Sequence, residues 1–172
     1  MNTVYTIGHS TRPIDEFVAI LKQNGVEELV DIRTVPGSRH NPQYSQEALE
    51  EYLKSHGISY AYQKNLGGLR PKAAQSDNGA WRNQSFRNYA DYMQTDEFQG
   101  GMNELMGRAA KSVVAIMCAE AVPWRCHRSL VGDALLVRKV IVLDIISGAC
   151  PKEHTLTSFA RVDGLRITYP AE

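Results

Sequence analysis

Thr3-Val4-Tyr5-Thr6-Ile7-Gly8-His9-Ser10-Thr11-Arg12-Pro13-Ile14-Asp15-Glu16-Phe17-Val18-Ala19-Ile20-Leu21-Lys22-Gln23-Asn24-Gly25-Val26-Glu27-Glu28-Leu29-Val30-Asp31-Ile32 carries two hydrophobic periods in succession. Thr3 to Ile7 is a β-branched and aromatic run that predicts a strand, ended by Gly8. Pro13, whose ring presets φ for a first helical turn, leads into Ile14, Phe17, Val18 and Leu21, the i, i+3, i+4, i+7 face of a helix. Gly25 is its stop signal, and Glu28 to Ile32 reads as a second strand. Strand, helix and strand in this order are the unit of a parallel sheet, because parallel neighbours need a crossover.

The same alternation continues. Ser45 is placed to cap a helix carrying Leu49, Tyr52 and Leu53 as far as Gly57, and Ile58, Tyr60 and Tyr62 alternate as a third strand. Residues 63–84 hold Gly67-Gly68, Pro71 and Asp77-Asn78-Gly79 without a sustained period, a loop long enough to point to function. Two helices follow, near Phe86 to Met93 and Phe98 to Ala110, the second with Phe98, Met102, Leu105 and Met106 on one face and weakened by Gly100-Gly101. Ser112 to Met117 predicts a fourth strand, Ser129 to Lys139 a helix and Val140 to Ile146 a fifth strand. The last 26 residues are expected to add a short helix and an edge strand. The expected fold is a single α/β domain over residues 1–172, a Rossmann-like three-layer sandwich on a mainly parallel sheet of about five strands.

Composition narrows the function classes. Hydrophobic residues at 43% against 22% charged support a folded core. Lys plus Arg and Asp plus Glu both number 19, so the formal net charge is zero and no whole-surface attraction to nucleic acid or anionic lipid is expected. Any anion site must be local. The longest apolar run, Val140 to Ile146, is broken by Asp144 and far shorter than the ~20 residues of a membrane-spanning helix. The amino terminus lacks a basic start and a cleavage pattern, so a cytoplasmic protein with no membrane partner is expected. Three cysteines, Cys118, Cys126 and Cys150, are read as reduced thiols.

Four polar segments follow the carboxyl ends of the expected strands: Gly8-His9-Ser10, Asp31 to Tyr44, Leu66 to Arg70 and Cys118 to Arg128. Ligands of open α/β sheets bind at that edge. In the densest segment, Cys126 stands just before a helix and beside His127 and Arg128, a setting that lowers a thiol pKa and makes a nucleophile. Cys118, where the strand ends, reads either as a nucleophile or as a small buried hydrophobe. Neither has the Cys-x5-Arg spacing of phosphotyrosine phosphatases, since the sixth residue on from Cys118 is Trp124 and from Cys126 is Gly132. His9, Glu120 and His127 are the acid–base candidates. Arg33, Arg39 and Arg128 are candidates to hold an anion, with Ser10, Ser38, Gly67 and Gly68 lining it. Each has a plainer alternative: Arg33 paired with Asp31 or Glu120, His9 hydrogen-bonded in place, Gly67-Gly68 merely turning the chain.

Two rival readings use the same residues. Cys118, Cys126 and His127, joined by His9 or His40, have zinc-ligand chemistry, but no Cys-x-x-Cys pair is present and neither a metal nor a cofactor is called for. Lys64, Arg70, Lys72, Arg82 and Arg87 stand near Trp81, Phe86 and Tyr89 with Asp77 as the sole acid, a composition that suits a single-stranded nucleic acid.

Taken together, Tyr5-Thr6-Ile7-Gly8-His9-Ser10, Asp31-Ile32-Arg33 with Pro36-Gly37-Ser38-Arg39, Leu66-Gly67-Gly68, and Cys118-Ala119-Glu120 with Cys126-His127-Arg128 resemble the DUF488 family of uncharacterised bacterial and archaeal proteins. The resemblance runs from about Val4 to Val142 and implies an α/β domain with these motifs as its signature, without an established reaction. The leading expectation is a transferase or hydrolase acting on a small phosphorylated or nucleotide-like anion. Arg33, Arg39 and Arg128 would hold that anion, with Cys126 or Cys118 as nucleophile, or water activated by Glu120 if both thiols are structural. The alternatives are a nucleic-acid-binding or regulatory module without turnover, and a thiol redox sensor built on Cys118 and Cys126.

Overall fold

The computed structural model describes residues 2–37, 40–148 and 150–172. The chain runs β1 (Thr3–Gly8), α1 (Ile14–Gln23), β2 (Glu28–Asp31), α2 (Gln46–Ser55), β3 (Ser59–Tyr62), α3 (Gln84–Tyr92), α4 (Asp96–Ala109), β4 (Val114–Cys118), α5 (Arg128–Leu136), β5 (Ile141–Ile145), β6 (Lys152–Glu153), β7 (Arg161–Asp163) and β8 (Arg166–Thr168). Successive strand side chains point to opposite faces, and this sorts the apolar residues into two cores. Val4, Val30, Ile116 and Val142 face α3, α4 and α5, whose Tyr89, Phe98, Met102, Leu130 and Val131 cover them. Ile7, Leu29, Met117 and Ile145 face α1 and α2, covered by Phe17, Leu21, Leu49 and Leu53. Each fully buried Leu, Ile or Phe contributes roughly 1.5–3 kcal/mol. Two helical layers around one sheet make the expected three-layer α/β sandwich.

The central sheet has the order β3-β2-β4-β1-β5-β6. Its first five strands are parallel, and β6 adds an antiparallel edge through Leu143↔Glu153. The end of the chain departs from expectation. Among the described residues it contains no helix after α5; instead β7 and β8 pair as a hairpin around Gly164-Leu165. Gly164 has φ +62°, the positive value that a tight two-residue hairpin turn requires at its first central position, so the turn overrides any helical tendency.

Ser45 stands at the N-cap of α2, yet its side chain makes no capping bond. The side chains that do cap are Asn83 on α3, accepting from the Ser85 and Phe86 amides at 2.8 and 3.3 Å, and Thr95 on α4. Gly100-Gly101, read as a weakness of α4, has a packing reason: a Cβ on Gly101 would lie 3.0 Å from Asn65 and Leu66. The buried Gln63 side chain also donates to the Gly101 carbonyl at 3.1 Å. These contacts pin residues 63–66, and with them Gly67-Gly68, at the carboxyl edge of the sheet. No helix among the described residues is long and apolar enough to cross a membrane.

Candidate active site

β1 and β4 are neighbours in register, Gly8 opposite Cys118, but the helices that follow them leave to opposite faces of the sheet. Such a switch point opens a cleft beyond the strand ends. The ladder continues past both strands, with the His9 amide donating to the Cys118 carbonyl at 3.0 Å and the Ser10 amide to that of Ala119 at 2.9 Å. A Cβ on Gly8 would lie 1.5 Å from the Glu120 carbonyl oxygen, so only glycine lets the loop after β4 fold this closely over β1. Ser10 has φ +49°, a left-handed conformation costing a non-glycine residue roughly 1 kcal/mol, of the kind that concentrates at functional loops.

Arg33 forks onto Asp31, two residues back, through Nε–Oδ1 at 2.9 Å and Nη2–Oδ2 at 2.7 Å. Its Nη1 donates to the Tyr44 carbonyl at 2.8 Å and lies 3.4 Å from His9 Nε2. Four of its five N–H groups are thereby committed, which favours the bracing role over that of a free anion clamp. His9 stacks on Tyr44 at 4.3 Å, and its Nδ1 lies 2.8 Å from the Ser10 carbonyl. That carbonyl can only accept, so the proton sits on Nδ1 and Nε2 accepts from Arg33. Burial and the Arg33 charge push His9 below its ordinary pKa, and the imidazole is neutral at neutral pH.

Between β4 and α5 the chain makes a turn at Pro123–Arg125 that brings Cys126 back beside Cys118. Both thiols are buried, at 2% and 6% exposure, and close enough for each to shift the pKa of the other, while Cys118 Sγ lies 3.6 Å from the Glu120 carbonyl oxygen. Burial alone would push the Cys118 thiol up, but the neighbouring Cys126 side chain and the Arg128 guanidinium reverse this and hold it below the ordinary value. Burial and the charge on Cys118 push Cys126 well up. The sequence leaves both thiols open as nucleophiles, and the Arg128 charge and the difference in burial set their two environments apart. Cys126 Sγ accepts from the Arg128 amide at 3.4 Å and lies 3.4 Å from His127 Nδ1. His127 Nε2 donates to the Ile32 carbonyl at 3.0 Å, and burial pushes its pKa down to about 4, so it too is neutral. Gly68 lies against this ring, since a Cβ there would stand 2.4 Å from Nδ1.

Arg128 is fully buried. Its Nη2 reaches the Ala121 carbonyl at 3.4 Å, while Nε and Nη1 have no hydrogen-bond partner among the described residues. The cleft has two lobes of about 380 and 270 Å³, which share Arg33, Thr34, Ala119 and Glu120. His9 and Ser10 line the first; Gly68, Cys118, Cys126 and His127 line the second. Glu120 is exposed at the saddle. Gly67 packs behind, against Thr34, and lines neither lobe. Ser38 and Arg39 lie outside the described residues. Sequence reasoning missed Thr34, whose hydroxyl accepts from the Leu69 amide at 2.7 Å, and Phe86 on the wall of the second lobe. Thr34 is signalled only by its place between Arg33 and Pro36, and Phe86 only by its place among the basic residues read as suiting a nucleic acid.

The aromatic residues expected at a nucleic-acid face serve the core instead: Tyr89 is fully buried, and Trp81 and Phe86 pack partly buried against the same cluster. Arg70 donates to the Gly67 and Lys64 carbonyls at 3.1 and 2.8 Å and sits 3.7 Å over the Tyr92 ring. Among the described residues, no three His, Cys, Asp or Glu side chains group as a metal site.

The family model described as "Domain of unknown function DUF488" matches residues 13–135, most of the chain. The chain belongs to the DUF488 family. No curated protein and no solved structure matches it. The DUF488 match takes in the Arg33 and Gly67-Gly68 segments and the whole thiol loop. It begins after Gly8-His9-Ser10 and ends inside α5, so the β1 side of the cleft and the last strands lie beyond it.

Proposed function

We propose that this DUF488 protein is an enzyme that performs nucleophilic displacement on a small phosphorylated or nucleotide-like anion, with Cys118 as the nucleophile. The observation that carries the reading is Arg128, a fully buried guanidinium with two nitrogens unpartnered among the described residues, next to a thiol held below its ordinary pKa. An isolated buried charge costs several kcal/mol, and a Cys118 thiolate supplies the missing counter-charge. In the first step the Cys118 sulfur bonds to phosphorus while the bond to the leaving oxygen breaks, and Glu120 gives that oxygen a proton. In the second, water gives its proton to Glu120 and attacks phosphorus, the S–P bond breaks and the thiolate returns. Water as acceptor makes the enzyme a hydrolase; an alcohol makes it a transferase. His127 fixes Cys126, and the Arg33–Asp31 fork fixes the loop that divides the lobes.

The test is turnover of p-nitrophenyl phosphate and a panel of nucleoside phosphates, together with thermal stabilisation by each. Cys118→Ser is expected to lower kcat/KM by at least about 10³-fold and Cys126→Ser by less. Alkylation by iodoacetamide should map to Cys118 first, at a pH below the ~8.5 of a free thiol. Full turnover in Cys118→Ser sinks the covalent step; no turnover and no stabilisation by any anion in the panel sinks the reading.

A further inference from the structure

We propose that Cys118 and Cys126 form a reversible oxidation site for hydroperoxides, closing to a disulfide that removes the nucleophile; this rests on the reading of Cys118 as the site's thiolate. The two sulfurs line the same lobe of about 270 Å³ and lie close enough for each to shift the pKa of the other. Both are otherwise sealed, so the oxidant must be small enough to enter from that lobe, as hydrogen peroxide is. The surroundings are unequal. Cys118 has the charge of the Arg128 guanidinium to stabilise an anion, whereas Cys126 has the neutral His127 imidazole as an acceptor for its S–H at 3.4 Å and the Arg128 amide beside its sulfur. Peroxide therefore meets an attacking and a resolving thiol in one cavity.

The chemistry balances without a cofactor. The Cys118 thiolate attacks one peroxide oxygen, the O–O bond breaks, and hydroxide leaves and is protonated to water, giving a sulfenic acid. Cys126 then attacks the Cys118 sulfur, loses its proton and expels the second oxygen as water. Two thiols and one peroxide become one disulfide and two waters, each sulfur giving up one electron. The two sulfurs must close to a bond of about 2.05 Å, a movement left to the turn at Pro123–Arg125 because Cys118 is held in the sheet. A small dithiol reverses the reaction by exchange. Cys150 is exposed and serves as an internal control.

The experiment treats the full reduced chain with equimolar hydrogen peroxide, blocks remaining thiols and reads intact and digested mass. The expected result is a loss of two hydrogens, a cross-linked Cys118–Cys126 peptide, an alkylatable Cys150, and full reversal by dithiothreitol. In Cys126→Ser the oxidised product becomes a Cys118 sulfenic acid trapped by dimedone; in Cys118→Ser, Cys126 stays unmodified at the same dose. Oxidation confined to Cys150, or Cys126 oxidised first in the absence of Cys118, overturns the proposal. No substrate enters this assay, so its failure is distinct from an absence of turnover in the phosphate-ester panel.

Discussion

Gly8→Ala will destabilise the protein by roughly 3 kcal/mol or more and disable the cleft. The new methyl group would lie 1.5 Å from the Glu120 carbonyl oxygen, 2.4 Å from its carbon and 3.0 Å from the Ala121 nitrogen. All three are backbone atoms, so no rotamer change relieves the collision. The loop after β4 has to lift, and the His9–Cys118 and Ser10–Ala119 backbone hydrogen bonds go with it, each worth about 1 kcal/mol net. Loss of that loop also separates Cys118 from Cys126, and the iodoacetamide pH profile should move back toward that of a free thiol. Gly25→Ala is the control, because Gly25 has φ +72° but nothing within 4 Å of a Cβ, and strain alone costs about 1–2 kcal/mol. Urea denaturation of the two variants checks the ordering. Wild-type stability and thiol reactivity in Gly8→Ala would show that Glu120 does not sit over β1.

The second large effect is a stability that falls between pH 6.5 and 9 through His154. This histidine is buried between Asp144 (Nδ1–Oδ2 3.1 Å) and Asp133 (Nε2–Oδ1 3.0 Å). Thr6 donates to the other oxygen of Asp144, and the Tyr169 hydroxyl to the other oxygen of Asp133 at 2.8 Å. Burial alone would push the imidazolium down, but the hydrogen bonds and charges of the two carboxylates more than reverse this and raise it to about 9. Below pH 6.5 the imidazole is protonated in folded and unfolded chains and the full contribution is present. Between 6.5 and 9 the unfolded chain releases its proton while the folded one keeps it, so stability declines; above 9 the contribution is gone. A shift of this size is worth about 3 kcal/mol. His154→Leu is expected to lose at least that much at pH 6.5, because two buried carboxylates are left without their cation, and to flatten the profile. A wild-type urea midpoint unchanged from pH 6.5 to 9 refutes the ion triad. The chain after β5 should be the first part to detach, since His154 and Tyr169 hold it to α5 and the sheet.

Much of the architecture was legible because its signals are local. The β-branched run of Thr3 to Ile7 suits an extended chain, period 3.6 in Ile14 to Leu21 follows from the one helix face that meets a core, and Gly25 and Gly57 mark helix ends by their own backbone freedom. Once the strands are parallel, their carboxyl ends share one edge, so the convergence of His9, Arg33, Gly68 and the thiol loop could be read before any contact was known. The Arg33 fork onto Asp31 was readable as an alternative for the same reason: the partners are two residues apart.

What needed the tertiary structure depends on which groups face each other through space. The sheet places β4, more than 80 residues later, between β2 and β1, and no periodicity encodes that order. The role of each thiol turns on desolvation and on where the Arg128 guanidinium lies, and neither scales with sequence distance. His154 meets Asp133 and Asp144 from a segment without a recognisable motif. The amino-acid order by itself determined the elements as far as β5, the α/β class and the edge at which the polar motifs gather, because hydrophobic pattern and turn chemistry act within a few residues. Strand order, the burial of both thiols and the ion triad were decided only on folding, because hydrogen bonds and the electrostatics of desolvated charges act across whatever the fold brings within a few ångströms.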